Sequence, residues 1–475
     1  MAKQLKIAVL GAGPAGLGAA LYLHRSKKAQ ATVFEAAERV GGAASSFEIA
    51  GIKCDLGSHR LHPAAEDFIL NDIKAILGED LLWRPRHGRI RLQGKWIHFP
   101  LKPADFALNA PKPFVASVAL DSLAKILPKK PVREETFATV LAAGLGRTIC
   151  QSFYFPYARK LWGAEPEELD ATAARRRVSA SSLPKMLMKV ARQLPFLKSP
   201  TTGGFYYPRE GFGQICEGLK RESESLGATY RLNARVTQLT PRAEGGYTLT
   251  SEDRTGHVEA EDYDQVWSTL PISVLSKLMG PVTPTEVLSA ASAMRSRAMI
   301  LIYLVLNTDQ FTEYDANYFP ETEIGLSRLS EPKNYSAKGV PAGRTVLCGE
   351  LPCAVGDSFW KMSDEGLSQK MCDWLATAGL PVKAEVISVE TRRLSHAYPI
   401  YDKGYGAHFD RLESWVLAQP NLVSFGRQGL FAHDNTHHAL AMAHGAVGCL
   451  SETGTFDHEQ WAKAREGFKT HVVED

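Results

Sequence analysis

Residues 57 to 62 read Gly57-Ser58-His59-Arg60-Leu61-His62, two imidazoles and a guanidinium on a short stretch that opens with glycine. Imidazole titrates near neutrality, so His59 and His62 are candidate proton carriers. A guanidinium is a permanently charged fork for anions. Arg60, and Arg328 far downstream, are therefore candidates to hold an acidic substrate or a developing negative charge.

The elements that must position these groups begin upstream. An apolar run, Leu5 to Leu10, leads into Gly11-Ala12-Gly13-Pro14-Ala15-Gly16 and an Ala/Leu-rich run to Arg25. A second apolar run, Ala31 to Phe34, ends in Glu35. The order is strand, glycine turn, helix, strand, acid. Gly11 would make the tight turn, Gly13 would let backbone approach a pyrophosphate, and Gly16 would let the helix lie close to the sheet. Pro14 and Ala15 open that helix, whose free N–H groups and positive dipole end attract phosphate. Glu35, 24 residues after Gly11, can accept both ribose hydroxyls, and its charge disfavours a 2′-phosphate and so NADP. The stretch reads as a dinucleotide site.

After Glu35 come Ala36-Ala37-Glu38-Arg39-Val40-Gly41-Gly42-Ala43-Ala44. This E-x3-R-V-G-G-x2 segment resembles the second fingerprint of the two-dinucleotide-binding-domain flavoproteins. In them the Gly-Gly pair lets backbone pass close to the FAD diphosphate and ribityl chain. Alone, Gly41-Gly42 is only a flexible turn; joined to the first motif it implies FAD rather than NAD. In that architecture the chain passes the flavin ring soon afterwards. The resemblance therefore implies that Gly57, Ser58 and His59 are flavin neighbours.

A chain of 475 residues can hold two or three domains with a sizeable core. Hydrophobic content of 44% and charged content of 23% are those of a globular enzyme. A formal net charge of +3 argues against a dedicated nucleic-acid binder. No window reaches 18 uninterrupted apolar residues, which argues against an integral membrane segment. The nucleotide-binding strand falls within the first ten residues and leaves no room for a cleavable signal peptide. Seven cysteines, odd in number and without a C-x-x-C, point to a reducing, cytoplasmic setting rather than to disulfides or zinc.

Further along, a hairpin is expected over 46–55, a helix over 64–78 and a second hairpin at Arg89 to Leu92 with Lys95 to Phe99. Residues 104 to 195 read as mostly helical between prolines. Within them, 182–199 mixes apolar residues with Lys185, Lys189, Arg192 and Lys198, a pattern that lies on a protein surface or touches an anionic membrane. From Gly213 the order is helix, strand, hairpin and a strand ending Thr269-Leu270-Pro271. Flavoproteins of this architecture re-enter the nucleotide domain that way, which implies that the backbone at Val236 faces the adenine. Strands are expected to dominate 296–400 and to floor a substrate pocket. The final return, Asn421 to Arg427, is a strand running into a glycine turn, with a helix from about His438.

The expected fold class is α/β: a discontinuous Rossmann-like FAD domain (1–60, 203–275 and 420–453), a mixed-sheet substrate domain (61–103 and 280–415) and a helical insertion (104–200). The whole chain resembles the flavoprotein clan of UDP-galactopyranose mutases, protoporphyrinogen oxidases and amine oxidases. Several stretches resemble the mutase-like branch. Gly57 to His62 stands where mutases carry G-x-H-x-F-H by the isoalloxazine. Tyr157-x2-Lys160-x-Trp162-Gly163 is similar to their Y-x2-K-x-W-G. Ser327-Arg328-Leu329-Ser330-Glu331-Pro332-Lys333 looks like their T-R-x2-E-x-K, which places Arg328 near flavin and substrate. Gly349-Glu350-Leu351-Pro352 echoes E-Y-P. Gly426-Arg427, followed by Asn435-x2-His438, resembles the closing flavin motif. His437 stands where mutases usually have an acid, and Leu351 replaces the E-Y-P tyrosine.

Two chemistries follow from the resemblance. In the first, FAD takes a hydride from a C–H bond of a small organic substrate, while Arg328 and Arg60 hold an anion or stabilise charge at the flavin N1–C2=O edge. In the second, reduced FAD is an N5 nucleophile that rearranges a nucleotide sugar without net redox change. The altered motifs favour the first. His433, His437, His438 and His444 invite a metal reading, but no Cys or carboxylate pattern beyond Asp434 supports one, so a network at the helix start is expected and no metal.

Overall fold

A computed structural model describes residues 4–124, 134–177, 203–336 and 341–473. The apolar run Lys6–Leu10 is the middle strand of a five-stranded sheet. The order is Leu422–Ser424, Gln265–Ser268, Lys6–Leu10, Gln30–Phe34 and Thr229–Arg231, and every pairing is parallel. The two-residue period of a strand sends alternate side chains to opposite faces. Ile7 and Val9 accordingly join one core with the helices Pro14–Arg25, Gln214–Ser225 and Thr436–Gly448. Ala8 and Leu10 join another core, beneath the three-stranded antiparallel sheet of Arg235–Pro241, Tyr247–Glu252 and Val258–Tyr263. Both faces are covered, as a parallel sheet requires.

The second large sheet has seven strands. Their order is Val386–Pro399, Ser296–Leu306, Thr345–Cys353, Arg328–Ser330, Ala316–Tyr318, Gly88–Leu92 and Lys95–Phe99. All pairs are antiparallel except Ala316–Tyr318 with Gly88–Leu92. Ser296–Leu306 is buried along almost its whole length because both faces are used. Ile300, Ile302 and Leu304 pack under the helix Asp364–Thr377, while Met299, Leu301 and Tyr303 face the helical region. The strand-rich expectation for 296–400 thus holds for the sheet, with one helix inserted that its weak amphipathic pattern did not announce.

Residues 103–124 and 134–177 supply helices, among them Lys112–Ala124, Phe137–Leu145, Phe155–Trp162 and Ala171–Arg177. Thr136 caps the second of these, in a capping box with Thr139. The basic amphipathic stretch 182–199 lies outside the described residues. The hairpin Ser46–Ile49/Ile52–Asp55 carries the chain from the parallel sheet towards the seven-stranded one. Asp55 fixes its end: the buried carboxylate accepts from Ser46 Oγ at 2.5 Å, Tyr207 OH at 2.7 Å and Phe212 N–H at 3.0 Å. Burial pushes this carboxyl up to about 6 against the pull of those donors. The segment 57–62 leaves from this anchor. No helix among the described residues is long and apolar enough to cross a membrane.

Candidate active site

A cleft of about 340 Å³ opens where four parallel strands end. Gly11 to Ala15 follow the first strand, Glu35 the second, Thr269 to Pro271 the strand Gln265–Ser268, and Arg427 and Gln428 the strand Leu422–Ser424. The carboxyl ends of such a sheet are where open α/β folds bind ligands. The cleft continues along the seven-stranded sheet past Tyr318, Arg328, Glu350 and Tyr398, with Tyr157 and Leu161 of the helical region on its wall.

The glycines act as their spacing requires. Gly11 turns with φ of 96°, and a Cβ there would stand 2.6 Å from Thr269 Oγ1. At Gly16 a Cβ would lie 1.9 Å from Gly11 O, so only glycine lets the helix start this close to the strand. A Cβ at Gly13 would meet no protein atom within 4 Å, which leaves room for a ligand against the backbone. The Cβ position of Gly42 is 3.5 Å from Gly13 Cα, and that of Gly426 is 2.7 Å from Ala15 Cβ. Three segments far apart in sequence therefore meet at one helix N-terminus, which no side chain caps. Glu35 is held there, accepting N–H bonds from Ala12 and Ala37 at 2.9 Å each. Ser58 is buried, and its hydroxyl has no partner among the described residues. An open glycine cradle, helix-start N–H groups that no side chain caps, an acceptor carboxylate at the second strand and a hydroxyl without a partner among the described residues fit the diphosphate and ribose of FAD.

Of the residues singled out in the sequence, Gly11, Gly13, Pro14, Ala15, Glu35, Gly42, Ser58, His59, Arg60, His62, Arg328, Arg427 and Asn435 all line this cleft. Gly57 lines an adjoining hollow of about 380 Å³ that shares His59, Arg328 and Glu350. Gly16, Gly41 and Gly426 do not line the cleft. Ala36, Arg39 and Val236 also lie outside it. Arg39 is spent on Glu38 at 2.9 Å and Ser46 O at 3.3 Å, and Val236 packs against the core under the small sheet. His438 is buried behind the cleft, where its Nδ1 accepts the Asn435 N–H at 3.2 Å.

The charged groups are largely paired. Arg60 meets Asp315 at 3.3 Å and lies over the Phe205 ring at 5.0 Å. Arg328 reaches Glu350 Oε1 with Nε at 2.8 Å and Nη2 at 2.7 Å, and the same oxygen accepts the Ser58 N–H at 2.9 Å. Glu331 and Lys333 of the T-R-x2-E-x-K-like stretch face away from this chemistry. Glu331 accepts from Phe311 N–H, Thr312 N–H and the Thr345 hydroxyl, and Lys333 donates to Pro341 O and Arg344 O. Lys160 of the Y-x2-K-x-W-G-like stretch donates to Phe319 O at 2.5 Å, Glu321 O at 2.6 Å and Leu326 O at 3.0 Å. It ties the helix bearing Tyr157 to the loop that precedes Arg328.

His59 sits in a half-buried, positively charged environment. Removal from bulk water, then the positive charges of Arg328 and Arg427, pull its imidazole down to about 3. That environment favours the neutral ring, which stacks on Phe212 with centroids 5.2 Å apart. His62 lines the same cleft and accepts the Ala64 N–H on Nδ1 at 3.1 Å, which leaves the neutral ring's proton on Nε2. The histidine cluster also sorts differently from its sequence spacing. His444 packs against Tyr22 and Phe68, away from the others. Potential ligand atoms of Asp434, His438 and His471 lie within 4.8 Å of one another. The Arg176 guanidinium, 3.2 Å from Asp434, already supplies the positive charge there.

Several cleft residues were missed in the sequence. Thr269 and Glu350 stood in motifs quoted for other reasons. Arg86, Phe212, Gln428 and Val473 carried no signal of their own.

The comparisons with known proteins agree with this geometry. At 24% identity the chain matches protoporphyrinogen oxidase 1 of Arabidopsis thaliana over 471 residues, 90% of this chain and 83% of that protein. The fold of a reduced UDP-galactopyranose mutase superposes with a TM-score of 0.81 at 20% identity, covering 100% of this chain and 99% of that one. A protoporphyrinogen oxidase-like protein from Exiguobacterium sp. 255-15 superposes with a TM-score of 0.70 at 18% identity, covering 98% and 99%. The model of the flavin-containing amine oxidoreductases matches residues 14–448. The cradle, the acid and the cleft thus belong to an FAD-dependent oxidoreductase, and the chain is a member of the flavin-containing amine oxidoreductase family.

Proposed function

We propose that this enzyme oxidises or desaturates a small organic substrate that bears an anionic group, by removal of a hydride from carbon. One observation carries the reading: the glycine cradle, Arg328 and His62 open onto one continuous cleft. FAD, when bound, supplies the hydride acceptor. Gly11, Gly13, Ala15 and Gly42 would hold its diphosphate, Glu35 its ribose, and Ser58, Arg427 and Asn435 the flavin end. Arg328, oriented by Glu350, would hold the substrate's anionic group or the charge that develops as it reacts. His62, whose Nδ1 accepts the Ala64 N–H, is the candidate to donate from Nε2–H to the substrate or to the charge that develops on it. His59, neutral, offers a hydrogen bond and a stacking face. We assign 1–60, 203–275 and 420–453 to FAD and 61–103 and 280–415 to the substrate, with 104–200 as an insertion between them. Seven free cysteines support a reducing compartment such as the cytoplasm.

A second reading rests on a specific observation. Tyr157 and Leu161, on the stretch resembling the mutase motif, share the cleft with Arg328. That arrangement also suits a nucleotide sugar rearranged without net redox change. One experiment separates the two. The purified protein, reduced once with dithionite, is given a UDP-sugar without an acceptor. Many turnovers would overturn the oxidoreductase reading. Stoichiometric consumption of dioxygen or a dye with a substrate would overturn the mutase reading. A wild-type protein that gains no flavin absorbance on addition of FAD would sink both.

A further inference from the structure

We propose that the segment His471 to Val473 is a wall of the flavin cleft that limits the size of what reaches it, and that Asp434–His471 is the clasp holding that wall. The proposal rests on the flavin reading of the cleft. The clasp is specific. The His471 Nδ1 is 3.3 Å from Asp434 Oδ2, and its ring stacks on His438 with centroids 4.2 Å apart and planes 13° from parallel. Two residues later, the Val473 N–H donates to Arg176 O at 2.9 Å. Val473 is 8% exposed and lines the cleft.

Asp434 is the centre of this arrangement. Its side chain is fully buried, lines the cleft, and also accepts from Arg176 Nη1 at 3.2 Å. One carboxylate thus joins three elements: the end of the helix Ala171–Arg177, the approach to the helix Thr436–Gly448, and the C-terminal segment. A buried carboxylate that loses one partner is left undersatisfied, so the clasp opens as a unit. The same atoms do not read as a metal site. A guanidinium occupies the charge-bearing side of Asp434, and His438 Nδ1 already accepts the Asn435 N–H at 3.2 Å. The wall residue is aliphatic, so it presents an apolar edge to a substrate and no group for the reaction itself. Val473 and its clasp set specificity by size.

The test uses holoprotein with dithionite-reduced flavin and two oxidants of different bulk, dioxygen and ferricyanide. His471→Ala and a truncation after Lys469 should raise the ferricyanide rate at least about fivefold while dioxygen reoxidation stays within about twofold. Val473→Trp should lower the ferricyanide rate instead. Wild-type ratios of the two rates in all three variants, with FAD retained, would overturn the proposal. Should the truncated protein shed its flavin, His471→Ala and Val473→Trp decide the matter. Hydrogen exchange reads the clasp without any flavin: amides of 433–439 and 173–176 should exchange faster in His471→Ala, and unchanged protection sinks the clasp. An absence of FAD from the wild-type protein sinks the flavin reading alone.

Discussion

Arg328 and Glu350 stand opposite one another on adjacent antiparallel strands, and a single carboxylate oxygen takes two guanidinium N–H groups at 2.8 and 2.7 Å. That oxygen also takes the Ser58 N–H at 2.9 Å, so the arginine and the histidine-bearing segment are set by one acceptor. Both charged side chains are largely buried. The pair therefore positions the cation in the cleft more than it stabilises the fold, since desolvation offsets much of the attraction in a buried ion pair.

Removing one member is a different matter, because the other is left buried and unpaired. Glu350→Ala should cost about 3–5 kcal/mol in denaturant unfolding. Glu350→Gln keeps the shape and should cost less, yet lower turnover by about 100-fold because Arg328 loses its orientation. Steady-state kinetics with FAD saturating read the second effect. Unchanged turnover in Glu350→Gln would remove Glu350 from the site.

The two fingerprint glycines should fail in different ways. At Gly16 an added methyl lies 1.9 Å from a backbone oxygen, so Gly16→Ala should disturb the fold as well as flavin retention. At Gly13 the methyl meets no protein atom within 4 Å. Gly13→Ala should therefore leave the apoprotein's melting temperature unchanged and weaken FAD binding about tenfold or more, since the methyl occupies ligand space. Thermal unfolding of the apoprotein together with flavin titration separates the outcomes. Equal FAD affinity in Gly13→Ala would show that no phosphate lies against that backbone.

What the sequence made legible was whatever is locally encoded. Gly11 and Gly16 are dictated by their own turn and their own helix, and Glu35 by its place at a strand end. The hairpin 46–55 and the parallel strands were readable for the same reason. Glu350 was readable only as a motif letter, because its partner is set by strand register across 22 residues. Val473 reaches the cleft, and His471 reaches Asp434, through tertiary packing that leaves no trace in spacing. The setting of His59 was not legible, because residue type fixes only the ordinary pKa, and burial followed by the charges of Arg328 and Arg427 displaces it.

That displacement makes a prediction about pH. With its imidazole near 3, His59 contributes no ionisation between pH 5 and 9. Any limb near neutrality in kcat/KM should survive His59→Gln, whereas His62→Gln should lower kcat/KM by about 100-fold through loss of its hydrogen bond to the reacting substrate. Loss of the limb in His59→Gln would restore His59 as the proton carrier.

The histidines behind the cleft should govern acid stability. Burial is the leading cause that pulls His437 down to about 3 and His438 down to about 4, with neighbouring imidazoles adding to it. Asp434 pulls His438 in the opposite direction without reversing the shift. The unfolded chain protonates both near 6.5. Between those values the unfolded state binds more protons than the folded one, so stability rises with pH across the window and falls as pH drops from about 6.5 towards 4. Each histidine should contribute a slope approaching 1.4 kcal/mol per pH unit, by order of magnitude. His437→Gln should flatten the acid limb of unfolding free energy by about one such contribution while leaving the region above pH 7 parallel to the wild type. Denaturant melts at half-unit pH steps measure it. A wild-type slope retained in the variant would mean that His437 is protonated in the folded protein.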